Sequence, residues 1–167
     1  MEHRKRVARV RTQLIKEATV YCKTQLLDTP ERAAEFARSL YYELKGEEMR
    51  CMTRECLIVC CVDTKGKPHV IEHVSVGVSN AALVGMKEVF ISAILSNSDA
   101  IFVFHNHPSG DPMPSMEDNL ITKRIREAGK LLDIPVRDHI IIGDNGYYSY
   151  EENVFCEWKE DAYEKAG

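Results

Sequence analysis

No apolar run in this chain approaches the roughly 18 residues that a bilayer-crossing helix needs, so a membrane span is not expected. Arg4, Lys5, Arg6, Arg9 and Arg11 crowd the N-terminus, but no continuous apolar segment follows them. A secretory leader is therefore not expected, and the cytoplasm is the expected compartment. The six cysteines, Cys22, Cys51, Cys56, Cys60, Cys61 and Cys156, form no C-x-x-C pair, which argues against a cysteine-held metal. A chain of 167 residues can build a core without disulfide staples, so free thiols are expected. An excess of either charge is also missing. The net charge of -4 gives no global attraction for nucleic acid, and the stretch from Arg4 to Arg11 is the one local exception. No internal repeat and no low-complexity linker divides the chain. With 44% hydrophobic residues, it fits one domain with a modest core and an extension.

The most informative stretch runs from Phe104 to Asp118, Phe-His-Asn-His-Pro-Ser-Gly-Asp-Pro-Met-Pro-Ser-Met-Glu-Asp. It follows Ala100-Ile-Phe-Val-Phe104, an apolar run that reads as a short buried strand. It ends in Ser115-Met-Glu-Asp118, a helix-start signature. His105 and His107, two apart where a strand is ending, project in the same direction. Asp118 at the mouth of the next helix can fold back toward them. Two imidazoles and a carboxylate make a three-ligand constellation with a fourth position open, as a catalytic zinc requires. Pro108, Pro112 and Pro114 stiffen the loop between the ligands. Asn106 lies between the histidines and is expected to face the other way, in a structural role. Ser115 and Asp118 also satisfy a capping box. For Ser115 capping and a place at the site are compatible. For Asp118 they are expected to compete.

The spacing His105-x-His107-x7-Ser115-x2-Asp118 resembles the signature of the JAMM (MPN) metalloproteases. The wording His-Asn-His-Pro-Ser-Gly-Asp-Pro-Met-Pro-Ser-Met-Glu-Asp is similar to the RadC branch of that family. The resemblance spans about residues 31 to 151. It implies an α/β (α+β) fold of the cytidine-deaminase-like kind, a mixed β-sheet flanked by helices. It implies Zn2+ held by His105, His107 and Asp118, with Ser115 supporting the oxyanion. It also implies a general base from far upstream. Glu55, opening the apolar run Glu55-Cys-Leu-Ile-Val-Cys-Cys-Val-Asp63, is the candidate, because a carboxylate there is costly to desolvate without a partner. Glu47 and Glu48 read as exposed linker residues and are weaker candidates.

Around this centre, residues 1–28 read as an N-terminal helical extension, with Val7, Val10, Leu14, Ala18 and Tyr21 at three- and four-residue steps. Residues 29–151 form the catalytic domain and 152–167 an acidic tail. Asp28-Thr-Pro-Glu31 opens a helix that ends near Gly46. Residues 55–63 and 68–78 form a hairpin about Gly66. A helix follows from Met86 to Ser98, with Val89, Ala93 and Ile94 inward. Another runs from Ser115 to Leu132, with Leu120, Ile121, Ile125, Ala128 and Leu131 at helical spacing. Val136 to Gly143 is a strand, and Asp144-Asn-Gly146 turns it into a hairpin with residues 147–150. Phe155, Trp158 and Ala162 are spaced for a short helix. His69, His73, Asp138 and His139 are read as structural.

The expected reaction is hydrolysis of a peptide or isopeptide bond in a protein substrate. The other reading is a DNA-repair-associated accessory protein that meets nucleic acid through Arg4 to Arg11 and keeps only a structural or vestigial metal site. RadC proteins often carry a helix-hairpin-helix module, and residues 1–50 show no glycine-bearing hairpin of that kind. The N-terminal helix could instead pack on the domain or pair with a second copy in a homodimer.

Overall fold

Seven consecutive buried residues, Cys56–Val62, form β1, and seven more, Ala100–Asn106, form β3. Strands apolar on both faces belong in the middle of a sheet covered on each side. In the structure, a computed structural model that describes residues 11–17, 19–20, 26–43, 55–76 and 84–159, they lie side by side and antiparallel. Pro68–Val76 (β2) returns antiparallel to β1 through a turn in which Gly66 has φ +82° and donates its amide to Asp63 O. Val136–Ile142 (β4) runs parallel to β3; Gly146–Ser149 (β5) and Val154–Glu157 (β6) complete the sheet antiparallel. The strand order is β2-β1-β3-β4-β5-β6.

The two-residue alternation of the strands sorts their side chains between two layers. Cys56, Ile58, Cys60, Val62, Phe102, Phe104, Ile140 and Ile142 face Pro30–Glu43 (α1), which supplies Ala33, Ala34, Phe36, Ala37 and Leu40. Leu57, Val59, Cys61, Ile101 and Val103 face Met86–Leu95 (α2) and Met116–Leu131 (α3) through Val89, Phe90, Ala93, Ile121 and Ile125. The result is the mixed α+β sheet flanked by helices expected from the sequence. The four described cysteines, Cys56, Cys60, Cys61 and Cys156, are free. Among the described residues, no helix is long and apolar enough to cross a membrane.

Two expected helices are corrected. Residues 11–17 and 19–20 are not helical, and Leu14 and Ile15 are exposed. Most helical stability comes from packing an apolar face, and these leucine and isoleucine side chains find none. Residues 1–10, 18 and 21–25, with most of the arginine cluster, lie outside the described residues. In the tail, Val154–Glu157 is a strand where a helix was expected, because the open edge of β5 offers a ladder. Asn153, at φ 55°, turns the chain back onto that edge. Trp158 then packs its ring at a tilt against Tyr147, lies under the Arg38 guanidinium and donates Nε1–H to Gly143 O. Residue 162, the expected helix end near Gly46 and the expected strand end at Val78 also fall outside the described residues. Ile94 was expected inward but is 52% exposed, and Leu120 and Leu131 are exposed as well. The buried stripe of α3 is Asp118, Ile121, Thr122, Ile125 and Gly129 instead.

Candidate metal centre

The same alternation builds the site. His105 is the next residue after Val103 on the face of β3 that carries α2 and α3, and His107 follows two further on. Leu57 pairs with His105 across the antiparallel ladder. Glu55, two before Leu57, therefore emerges on that same face, beside the histidines. Asn106 points the other way, as expected. Its Oδ1 accepts the Cys56 amide at 2.8 Å and extends the hold of β3 on β1 by one residue. His107 is tied in turn to β4, its amide donating to Ile142 O at 3.1 Å.

The chain then loops through Gly110, at φ +82°, where an added Cβ would sit 2.3 Å from Asp144 Oδ2. Gly110 O accepts the Asp144 amide, which pins this loop to the β4–β5 turn. Asp111 O lies 2.7 Å from His107 Nδ1. A carbonyl can only accept, so Nδ1 carries the proton and the Nε2 lone pair is presented inward. That is the usual way a protein sets the tautomer of a metal-binding histidine.

Helix α3 begins at Ser115, the N-cap, with a complete capping box to Asp118. Ser115 N and Oγ both donate to Asp118 Oδ2, and the Asp118 amide donates to Ser115 Oγ. The expected competition for Asp118 is resolved by its two oxygens. Oδ2 caps the helix and lies 3.3 Å from His107 Nε2, while Oδ1 lies 3.2 Å from His105 Nδ1. Glu55 Oε1 reaches His105 Nε2 at 2.6 Å from the other side.

Glu55, His105, His107 and Asp118 thus converge, each offering one ligand atom within 4.8 Å of the others. A tetrahedral ion with bonds of about 2.1 Å holds its ligands about 3.4 Å apart, close to the His–Asp separations here. His105 and Asp118 are almost fully buried, while His107 and Glu55 are partly open. His105 Nδ1 has no well-directed hydrogen bond. Burial pulls the His105 imidazole toward neutrality, but Asp118 and Glu55 overcome it and hold its pKa up at about 9. Burial pushes the Asp118 carboxyl up, and the two histidines and Ser115 pull it well below the usual range. Two carboxylates against one imidazolium in a buried corner is a charge pattern that a divalent cation completes. The residues therefore fit a metal ion.

Thr122 and His139 were not expected to bear on the site. Thr122 Oγ1 donates to the Asp118 main-chain carbonyl at 2.6 Å and lies 2.6 Å from His139 Nδ1. The His139 ring stacks between His105 and Tyr150, at centroid distances of 6.0 and 5.0 Å. Burial, then the charge of His105, pushes its pKa down to about 3. Asp138, the neighbour facing the other way, accepts from Ser149 Oγ and the Glu151 amide, and burial raises it to about 6. A depression of about 350 Å³ lies beyond the loop, lined by Asp111, Met113, Asp144 and Phe155 among others, and none of the four converging residues lines it.

Residues 27–155 match the family model of the RadC-like JAB domain. The chain belongs to that family. Among its relatives are UPF0758 proteins of Alkaliphilus metalliredigens, 55% identical over 106 residues, and of Methanosarcina barkeri, 46% identical over 114 residues. A third, from Roseiflexus castenholzii, is 47% identical over 110 residues. These alignments cover 64%, 68% and 66% of this chain, and 46%, 50% and 47% of the respective relatives. The RadC-like chain thus spans about half the length of the curated relatives it matches. The matched region contains all four converging residues and Ser115.

Proposed function

We propose that this RadC-like JAB domain is a zinc-dependent metallohydrolase that cleaves peptide or isopeptide bonds. The observation that carries the reading is the convergence of Glu55, His105, His107 and Asp118 from two strands and a helix N-terminus. His105, His107 and Asp118 hold the ion, and Glu55 is the base. Zinc, when bound, polarises the amide carbonyl and lowers the pKa of water from about 15.7 to about 7. Glu55 takes the proton of the attacking water and returns it to the leaving nitrogen, a role worth typically 10²–10⁴ in rate. Its partial exposure fits a group that must reach solvent and substrate in turn. Ser115 is exposed at the rim, and its single hydroxyl proton rests on Asp118 Oδ2. In this mechanism the hydroxyl turns from that carboxylate to the developing oxyanion, a donor worth about 3 kcal/mol in comparable sites.

Elemental analysis paired with turnover of peptide and isopeptide-linked substrates tests the proposal. Wild-type protein should carry one zinc per chain and hydrolyse a member of the panel. Glu55→Gln should keep the zinc and lose activity at least a hundredfold. Metal-free wild-type protein after zinc exposure, or a Glu55→Gln variant with full turnover, would overturn it. The nucleic-acid reading draws no support from the described residues. Arg11 is the only member of its cluster among them.

A further inference from the structure

His139 is a buried imidazole whose Nε2 meets no hydrogen-bond partner among the described residues. A phenyl ring would fill the same space between His105 and Tyr150 without stranding a polar atom. What the imidazole adds is the contact of Nδ1 with Thr122. A hydroxyl has one proton, and the Asp118 carbonyl can only accept. Both contacts of Thr122 Oγ1 are therefore hydrogen bonds only if Thr122 donates to Asp118 O and His139 Nδ1–H donates to Thr122. The order is fixed: His139, then Thr122, then the backbone of Asp118.

The same strand end grips the helix at a second point. The Tyr150 amide donates to His139 O at 3.0 Å, and its phenol donates to Asn119 Oδ1 at 3.0 Å. β4 and the turn after β5 therefore brace the first turn of α3, at the two residues that begin with Asp118. The His139 ring also backs the ring of His105. One side chain on β4 thus touches the support of one metal-holding residue, Asp118, and the ring of another, His105.

We infer that His139 and Thr122 are a positioning pair that sets Asp118 and His105 for the metal. Neither touches the ion or the substrate. The inference rests on the metal site proposed above and adds residues outside the His-x-His…Ser-x-x-Asp pattern. Partners of this kind, which orient metal-holding groups without binding metal themselves, change affinity by about 10–100-fold when removed.

Zinc affinity, measured by competition with a chromophoric chelator, tests the inference without any substrate. Thr122→Val keeps the shape and removes the hydroxyl; zinc should bind at least tenfold more weakly. Thr122→Ser restores the hydroxyl and should bind within about threefold of wild type. His139→Phe keeps the plate under His105 and removes the donor, and it should weaken zinc by a factor similar to Thr122→Val. The double variant should be little worse than either, because the two act as one unit. The Co2+-substituted Thr122→Val protein should show a shifted visible spectrum, which a change in global stability alone would not produce. Thr122→Val and His139→Phe proteins that melt lower yet bind zinc as wild type does would overturn the inference. If Thr122→Val does not fold, the His139→Phe affinity alone decides. Wild-type protein that binds no zinc would instead sink the metal site itself, so the two failures are distinguishable.

Discussion

Two neighbouring parallel strands each present two polar residues on or just past an otherwise apolar run, and the pairs meet opposite fates. At the end of β3, His105 and His107 face two carboxylates in a corner where an imidazolium is held up to about 9. On β4, Asp138 and His139 are covered by hydroxyls and a backbone amide, and both are shifted toward their neutral forms, to about 6 and about 3. The first pair converges with charges that folding alone does not need. The second is shifted toward neutrality and leaves no charge for an ion to balance. A polar residue in a strand is thus a candidate ligand only when its neighbours leave charge uncompensated.

The sharpest way to break this contrast is at His107. His107→Ala should weaken zinc by on the order of a thousandfold, since a structural zinc site is worth roughly 10–16 kcal/mol spread over its ligands. Chelator competition reads the loss, and a change under tenfold would put the ion elsewhere. Next in size is stabilisation by the metal. Zinc at a hundred times its Kd should add about 2.7 kcal/mol to wild-type stability. For a chain of this size that raises Tm by roughly 5–10 °C by calorimetry, and the gain should vanish in His107→Ala. The smallest effect belongs to β4. The folded pKa of Asp138 is raised, so its favourable contribution is complete below about 3.8 and is lost as pH rises through about 6. Asp138→Asn removes that loss. Its stability relative to wild type, from chemical unfolding, should rise by roughly 1–1.5 kcal/mol between pH 5 and pH 8. A flat difference would show that Asp138 is ionised and paired, like the groups on β3.

Much of the site was legible because its parts lie close in sequence. A strand end puts His105 and His107 on one face, and a cap signature puts Asp118 at the third position of the next helix. Glu55 lies 50 residues from His105, so its place came from family resemblance and from the oddity of a carboxylate opening a buried strand. The double duty of Asp118 was missed because a residue type does not say where each of its two oxygens goes. Thr122 and His139 carry no local signal linking them. Thr122 sits four residues after Asp118, a hint only once the helix face toward β4 is known. The N-terminal segment and the tail were misread for the opposite reason. Apolar spacing reports that a helix could bury a face, and the sheet edge beside β5 decided the matter for the tail.

Because the carboxylate of Asp118 serves both Ser115 and the proposed ion-binding corner, filling that corner and starting helix α3 draw on one side chain. Fraying of this single turn carries away a third of the proposed protein cage. The lifetime of a captured ion is thereby linked to how often one N-terminal turn opens.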